Sequence, residues 1–157
     1  MKLFVLITLT ASLLVACGTS KNTTPSASDT QIISIVHGTS FGHCRGYCIR
    51  ELVLRNGDAV FAKTSRDEAQ FPTEKKNIAF SKTEWEKLVR EVNIDEFFKL
   101  NETYGCPDCA DGGAEFIEIS TSKGTKRVTI EYRADQPELG KILSALRKIS
   151  EVKVPEE

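Results

Sequence analysis

Five cysteines and two histidines carry most of the chemistry available to this chain. Cys44 and Cys48 are four residues apart, Cys106 and Cys109 three apart, and His43 stands beside Cys44. Thiols at such spacings can form disulfides, ligate a soft metal as a Cys₄ or Cys₃His set, or cycle as a redox dithiol. Cys17 differs from the other four, because it closes Leu14-Val15-Ala16-Cys17 at the end of a short apolar run. Small residues followed by cysteine in that position mark a processing site, and processing decides which compartment the other thiols meet.

The residues before Cys17 fit a cleaved leader. Lys2 supplies a positive n-region and Leu3 to Val15 an apolar h-region. A membrane-spanning helix needs about 20 apolar residues, and Gly18-Thr19-Ser20-Lys21-Asn22 stops this run early. The segment resembles the signal of bacterial lipoproteins. That resemblance implies a thioether-linked diacylglycerol on Cys17 and an acylated amine, several chains together anchoring stably where one does so only marginally. Residues 1–16 are then the signal peptide, 17–30 a lipidated flexible tether and 31–153 a single domain. Gly18 to Thr30 is rich in Ser, Thr and Asn, cannot bury a core, and reaches roughly 20 Å as a coil. In lipoprotein signals an aspartate directly after the lipidated cysteine favours inner-membrane retention; Gly18 stands there, so the expected place is the outer membrane, facing the periplasm. The membrane is the first partner, through the lipid on Cys17, and an envelope protein is the second to consider.

Removing Met1 to Ala16 leaves 141 residues with a formal charge of −2, enough for one small core. Such a balance argues against a nucleic-acid binder, which would show a basic patch or stripe. With 40% hydrophobic and 8% aromatic residues, the chain has the make-up of a folded globule.

An even number of cysteines in an exported chain reads first as disulfides, here among Cys44, Cys48, Cys106 and Cys109. Four thiols allow three pairings, and sequence alone does not choose among them. Adjacency makes the local pairs kinetically easier, each closing a ring worth about 2 kcal/mol in the chain-entropy model. Crossed bonds closing about sixty residues, worth about 4 kcal/mol, are the alternative. Zinc or copper could draw on the same thiols and His43, but an oxidising envelope favours disulfides over thiolates. Redox catalysis needs a helix N-terminus over the first cysteine, whereas Cys106-Pro107-Asp108-Cys109 leads through Ala110-Asp111-Gly112-Gly113 into a strand. Asp108, Asp111 and Glu115 lack the alternating pattern of a calcium loop and read as a solvated turn. There is no Gly-x-Ser-x-Gly elbow, phosphate loop or His-Glu-x-x-His helix, and His37 and His43 read as a strand end and a loop residue. The expectation is a protein that is not an enzyme, with no cofactor and no metal site.

The elements that position these residues follow from periodicity. Gln31 to His37 is β-branched and predicts a first strand, followed by a glycine-rich loop from Gly38 to Gly46. Asn56-Gly57 predicts a hairpin between Tyr47–Arg55 and Ala59–Thr64, with Leu54 facing Ala59, Leu52 facing Phe61, and Cys48 on their face. Arg66 to Lys76 is polar and reads as a loop. Ser81 and Glu84 form a capping box ahead of Trp85, Leu88, Val89 and Val92, with a short helical segment at Ile94 to Leu100. A second hairpin around Lys123-Gly124 pairs Ile119 with Val128 and Ile117 with Ile130. Asp135 and Glu138 read as the capping box of a last helix whose stripe is Leu139, Ile142, Leu143, Leu146 and Ile149. Two hairpins and an N-terminal strand with two main helices on one face make an α+β domain with an antiparallel sheet.

At Phe41-Gly42-His43-Cys44-Arg45-Gly46-Tyr47 the chain resembles a family of uncharacterised small bacterial lipoprotein domains with the signature Phe-Gly-x-Cys-Pro-x-Tyr. Phe41, Gly42, Cys44 and Tyr47 match, Asn56-Gly57 matches the hairpin turn, and Asp111 falls where the family carries a later aspartate. Arg45 replaces the proline, Ser40 stands where many members have a first cysteine, and Cys48 is added downstream, which implies a shifted loop disulfide. The resemblance spans Ile32 to Val152 and implies the fold without an activity. Cys106-Pro107-Asp108-Cys109 ahead of a hairpin is also similar to the Cys-x-x-Cys hairpin of copper-linked envelope-stress lipoproteins, which implies a thiol- or metal-responsive sensor as the alternative function.

Overall fold

The structure is a computed structural model describing residues 30–154; Cys17, the expected signal peptide and the expected tether up to residue 29 lie outside those residues. Six strands form one sheet: β1 (Ile32–Ser40), β2 (Ile49–Arg55), β3 (Asp58–Thr64), β4 (Glu74–Ile78), β5 (Ala114–Thr121) and β6 (Gly124–Glu131). Their order is β4-β3-β2-β1-β5-β6, and every neighbouring pair is antiparallel. β1 is central and bonds to β2 on one side and β5 on the other, which is why Ile32 and the run Ser34 to Gly38 are buried.

The helices α1 (Lys82–Arg90), α2 (Ile94–Lys99) and α3 (Gly140–Lys153) cover one face, as an α+β domain requires. Between them lies one core: Ile35, Leu54, Ile117, Ile119 and Val128 from the sheet meet Trp85, Leu88, Phe97, Ile142 and Leu146 from the helices. Trp85 is a core residue, and the Ser81–Glu84 capping box is formed in both directions. Among the described residues no helix is long and apolar enough to cross a membrane.

On the face away from the helices, Phe116 lies flat across Gly38 of the neighbouring strand, and the Arg127 guanidinium covers the ring at 4.0 Å. A Cβ on Gly38 would fall 2.2 Å from Phe116 Cζ, so glycine is what allows the ring to lie there. Arg127 is held in turn by Glu118 at 2.9 Å and Glu51 at 3.9 Å.

Four expectations from the sequence need correction. Glu74–Ile78 is a sixth strand rather than loop; its Glu-Lys-Lys-Asn-Ile sequence hides it, because an edge strand bonded only to β3 needs no apolar face. β1 continues through Gly38, Thr39 and Ser40, where the glycine suggested loop. The second hairpin turns at Ser122-Lys123, since Thr121 Oγ1 accepts from Lys123 N–H and donates to the Gly124 carbonyl. Ile117 therefore faces Val128, and Glu115 faces Ile130, a slip of two residues that keeps the same side chains inward. Asp135 caps nothing: a 3₁₀ turn at Pro137–Leu139 precedes α3, and neither it nor α3 has a side-chain cap.

Candidate functional site

The four cysteines sit in two loops at the same end of the sheet. Cys44 is bonded to Cys48 and Cys106 to Cys109, with Cα atoms 5.6 and 5.5 Å apart. Local pairing agrees with kinetic ease, and Cys48 is buried just ahead of β2. The loops meet without a crosswise bond. Gly42 N–H donates to Asp108 Oδ1 at 2.9 Å, Phe41 packs edge-on to Tyr132 with ring centres 5.0 Å apart, and Arg66 donates to the carbonyls of Phe41 and Gly42. A Cβ on Gly42 would meet Asp108 at 2.0 Å, and one on Gly113 would meet the Phe41 ring at 2.3 Å. Phe41 and Gly42 thus act as a clasp between loops, and the aspartate that Gly42 engages is Asp108. Asp111 instead lies 3.8 Å from the exposed His43, an ion pair of little energetic weight. Among the described residues no three His, Cys, Asp or Glu side chains converge as a metal site.

The residues that periodicity should have flagged lie one layer inward. Glu115 opens β5 in phase with Ile117 and Ile119, so its carboxylate is carried to the buried face and is only 2% exposed. It is no solvated turn. His37 follows Ile35 on the same face of β1, and its Nε2 lies 2.7 Å from Glu115 Oε1. From α3, Arg147 reaches Glu115 through two bonds, Nε to Oε1 at 2.9 Å and Nη2 to Oε2 at 2.7 Å. Arg133 N–H donates to Oε2 at 3.1 Å, and Arg147 Nη2 also donates to the Ala134 carbonyl. Ser150 Oγ completes the chain, 2.7 Å from His37 Nδ1.

Burial alone would push the Glu115 carboxyl up, but the hydrogen bonds from His37 and Arg147, aided by their charges, hold it at about 2 against an ordinary 4.5. The same bonds raise Arg147. Glu115 is therefore a carboxylate at neutral pH, and it fixes the His37 ring by accepting from Nε2–H.

Serine, imidazole and carboxylate in a row evoke a nucleophile, yet this geometry opposes acyl transfer. Ser150 occupies the last turn of α3, where the helix dipole is negative and would repel the oxyanion that the reaction must develop. The Glu115 carboxylate is moreover neutralised by a bidentate arginine, which weakens its support of a histidine base. The cluster ties β1, β5 and α3 together as a polar clamp with every partner satisfied.

His37 and Ser150 of the clamp line a groove of about 380 Å³. On the groove floor two cross-strand rows lie side by side: His37, Leu52 and Phe61 make one, and Thr39, Arg50 and Lys63 the other, which is polar and carries two cations. Ser150 and the acidic Glu151 face them from α3, and Val154 from just past its end. Lys63 is set in place by Glu74 at 3.1 Å and by the Tyr47 ring, 4.7 Å from its Nζ. No protein-family model matches the chain, and no curated protein matches it significantly.

Proposed function

We propose that this is a lipid-anchored envelope lipoprotein, held through Cys17 in the outer membrane and facing the periplasm. Its domain serves as a disulfide-stapled binding or structural module rather than an enzyme. The observation that carries this reading is Leu14-Val15-Ala16-Cys17 at the close of a short apolar run behind Lys2. The layout of the domain supports it. Thr30 enters beside Ile94, Asp95 and Lys123, and β1 then runs nine residues, roughly 26 Å, to the end that bears the cysteine loops and the groove. An anchor at the first end leaves the second unobstructed. Kinship with the Phe-Gly-x-Cys-Pro-x-Tyr lipoprotein domains fits as well, because Phe41 and Gly42 hold loops together, and a structural clasp can persist in a family without a shared reaction. Cys17→Ser should leave an uncleaved precursor without lipid; processing at Ala16 with lipid still attached would sink the reading.

One observation favours a second reading, an envelope sensor responding to thiol redox state or to zinc or copper. Cys106 and Cys109 are exposed, and the residue between them that engages the other loop is Asp108. Opening that disulfide would loosen the clasp. Counting thiols on the oxidised protein separates the two: none free supports the binding module, whereas thiols protected only when metal is present support the sensor.

A further inference from the structure

We propose that Cys106–Cys109 is a redox latch: a partner presenting a vicinal dithiol opens it and so releases the clasp, while Cys44–Cys48 stays closed as a staple. This latch is the redox element of the sensor reading and rests on that reading. The two disulfides differ in what thiol exchange leaves behind. An attacking thiolate takes one sulfur and expels the other, so exchange depends on access to the first and on the stability of the second as an anion. In the first pair only Cys44 is exposed. Attack there would expel a thiolate at Cys48, which is 2% exposed with its Sγ 3.3 Å from the Gly46 carbonyl oxygen. An anion in that place would be buried against a dipole of the wrong sign. Cys106 and Cys109 are both exposed, so attack on either expels a thiolate into water.

Opening the second pair reaches the clasp through Asp108, which its ring encloses. Asp108, Ala110 and Asp111 have φ of 62°, 51° and 61°, a left-handed conformation that aspartate tolerates and alanine resists. The disulfide closes across Asp108, whose N–H donates to the Gly113 carbonyl at 3.0 Å while Oδ1 accepts from Gly42 N–H at 2.9 Å. Without the bond the segment relaxes towards negative φ, and the carboxylate leaves Gly42. The change stays local because the flanks are tied. Tyr104 N–H donates to the Thr129 carbonyl and Cys106 N–H to the Glu131 carboxylate, both on β6, and Ala114 opens β5. In the exchange a partner thiolate bonds to one sulfur, the Cys106–Cys109 bond breaks, and the expelled thiolate takes a proton. The partner's second thiolate then displaces the remaining cysteine. Two electrons and two protons pass to Cys106 and Cys109, and the partner ends as a disulfide.

The test treats the full-length protein, purified in detergent, with dithiothreitol as the dithiol. Acid quenching, alkylation and peptide mass mapping give the opening rate of each pair, and hydrogen exchange gives the protection of the Gly42 amide. Cys106–Cys109 should open at least about tenfold faster than Cys44–Cys48. Gly42 should then lose about tenfold in protection while the Trp85 emission of the folded domain stays unchanged. Asp108→Gly keeps the left-handed backbone and removes the carboxylate. Its Gly42 should exchange fast even when oxidised, with reduction adding less than about twofold. Equal opening of the two pairs, earlier opening of Cys44–Cys48, or unchanged Gly42 protection after Cys106–Cys109 opens would overturn the latch. Loss of the folded Trp85 emission at the same step would overturn it too. The same alkylation on acid-quenched cells reports the sensor reading separately: a pair that opens in vitro yet stays fully oxidised in cells grown with and without oxygen sinks the redox sensor and not the latch.

Discussion

Replacing Glu115 by Gln removes the charge at the centre of the clamp while keeping its shape. Glu115 accepts from His37, twice from Arg147, and from Arg133 N–H, and the amide can neither neutralise the arginine nor accept at both positions. Breaking a buried ion pair by removing one partner costs about 3–5 kcal/mol. Arg147 is 24% exposed and keeps the Ala134 carbonyl, which places the expected loss near the lower end, about 3 kcal/mol. The acid limb gives an independent estimate. With the carboxyl at about 2 in the folded protein and 4.5 ordinarily, the unfolded chain binds the extra proton between those values. Glu115 therefore contributes stability that is complete above about pH 4.5 and is lost as the pH falls towards 2, about 3 kcal/mol in all. The assay is urea unfolding followed by Trp85, the single tryptophan, at pH 7 and at steps down to pH 3. Glu115→Gln should lower stability by about 3 kcal/mol at pH 7 and flatten the acid slope by this group's share. A variant within about 1 kcal/mol of the parent at pH 7, with an unchanged acid slope, would refute the clamp.

Gly38→Ala should destabilise by about 1–3 kcal/mol in urea, because its Cβ would fall 2.2 Å from Phe116 Cζ; adding Phe116→Leu should recover part of the loss. A neutral Gly38→Ala would mean that the ring is not fixed across the strand. Replacing the cysteines of both pairs by serine should cost at most about 4 kcal/mol and leave a folded but denaturant-sensitive domain. Non-reducing peptide mapping should return only the Cys44–Cys48 and Cys106–Cys109 links, and any fragment joining the two loops would contradict the pairing.

Much of the fold is legible in the sequence because its signals are local. Asn56-Gly57 sets the first hairpin register, Ser81 with Glu84 starts α1, and the stripe from Leu139 to Ile149 lies where α3 meets the sheet. The second hairpin is harder, since turns at 122–123 and at 123–124 differ by two residues in register and bury the same side chains. β4 is hidden because an edge strand with one neighbour can be entirely polar. The groove is invisible from sequence, being set by where α3 stops relative to β1. The clamp did leave a signal. Glu115 shares the phase of Ile117 and Ile119, His37 that of Ile35, and Arg147 and Ser150 follow Leu143 at helical spacing. Four polar residues in phase with buried faces point to one another, once the periodicity is followed through them instead of stopping at the last apolar position.

The most direct test of the anchored-module account is mass spectrometry of the N-terminal peptide of the mature protein taken from the membrane fraction. The account predicts a peptide beginning at Cys17 that carries a diacylglycerol and an acylated amine. A peptide beginning elsewhere, or an unmodified Cys17, would contradict it.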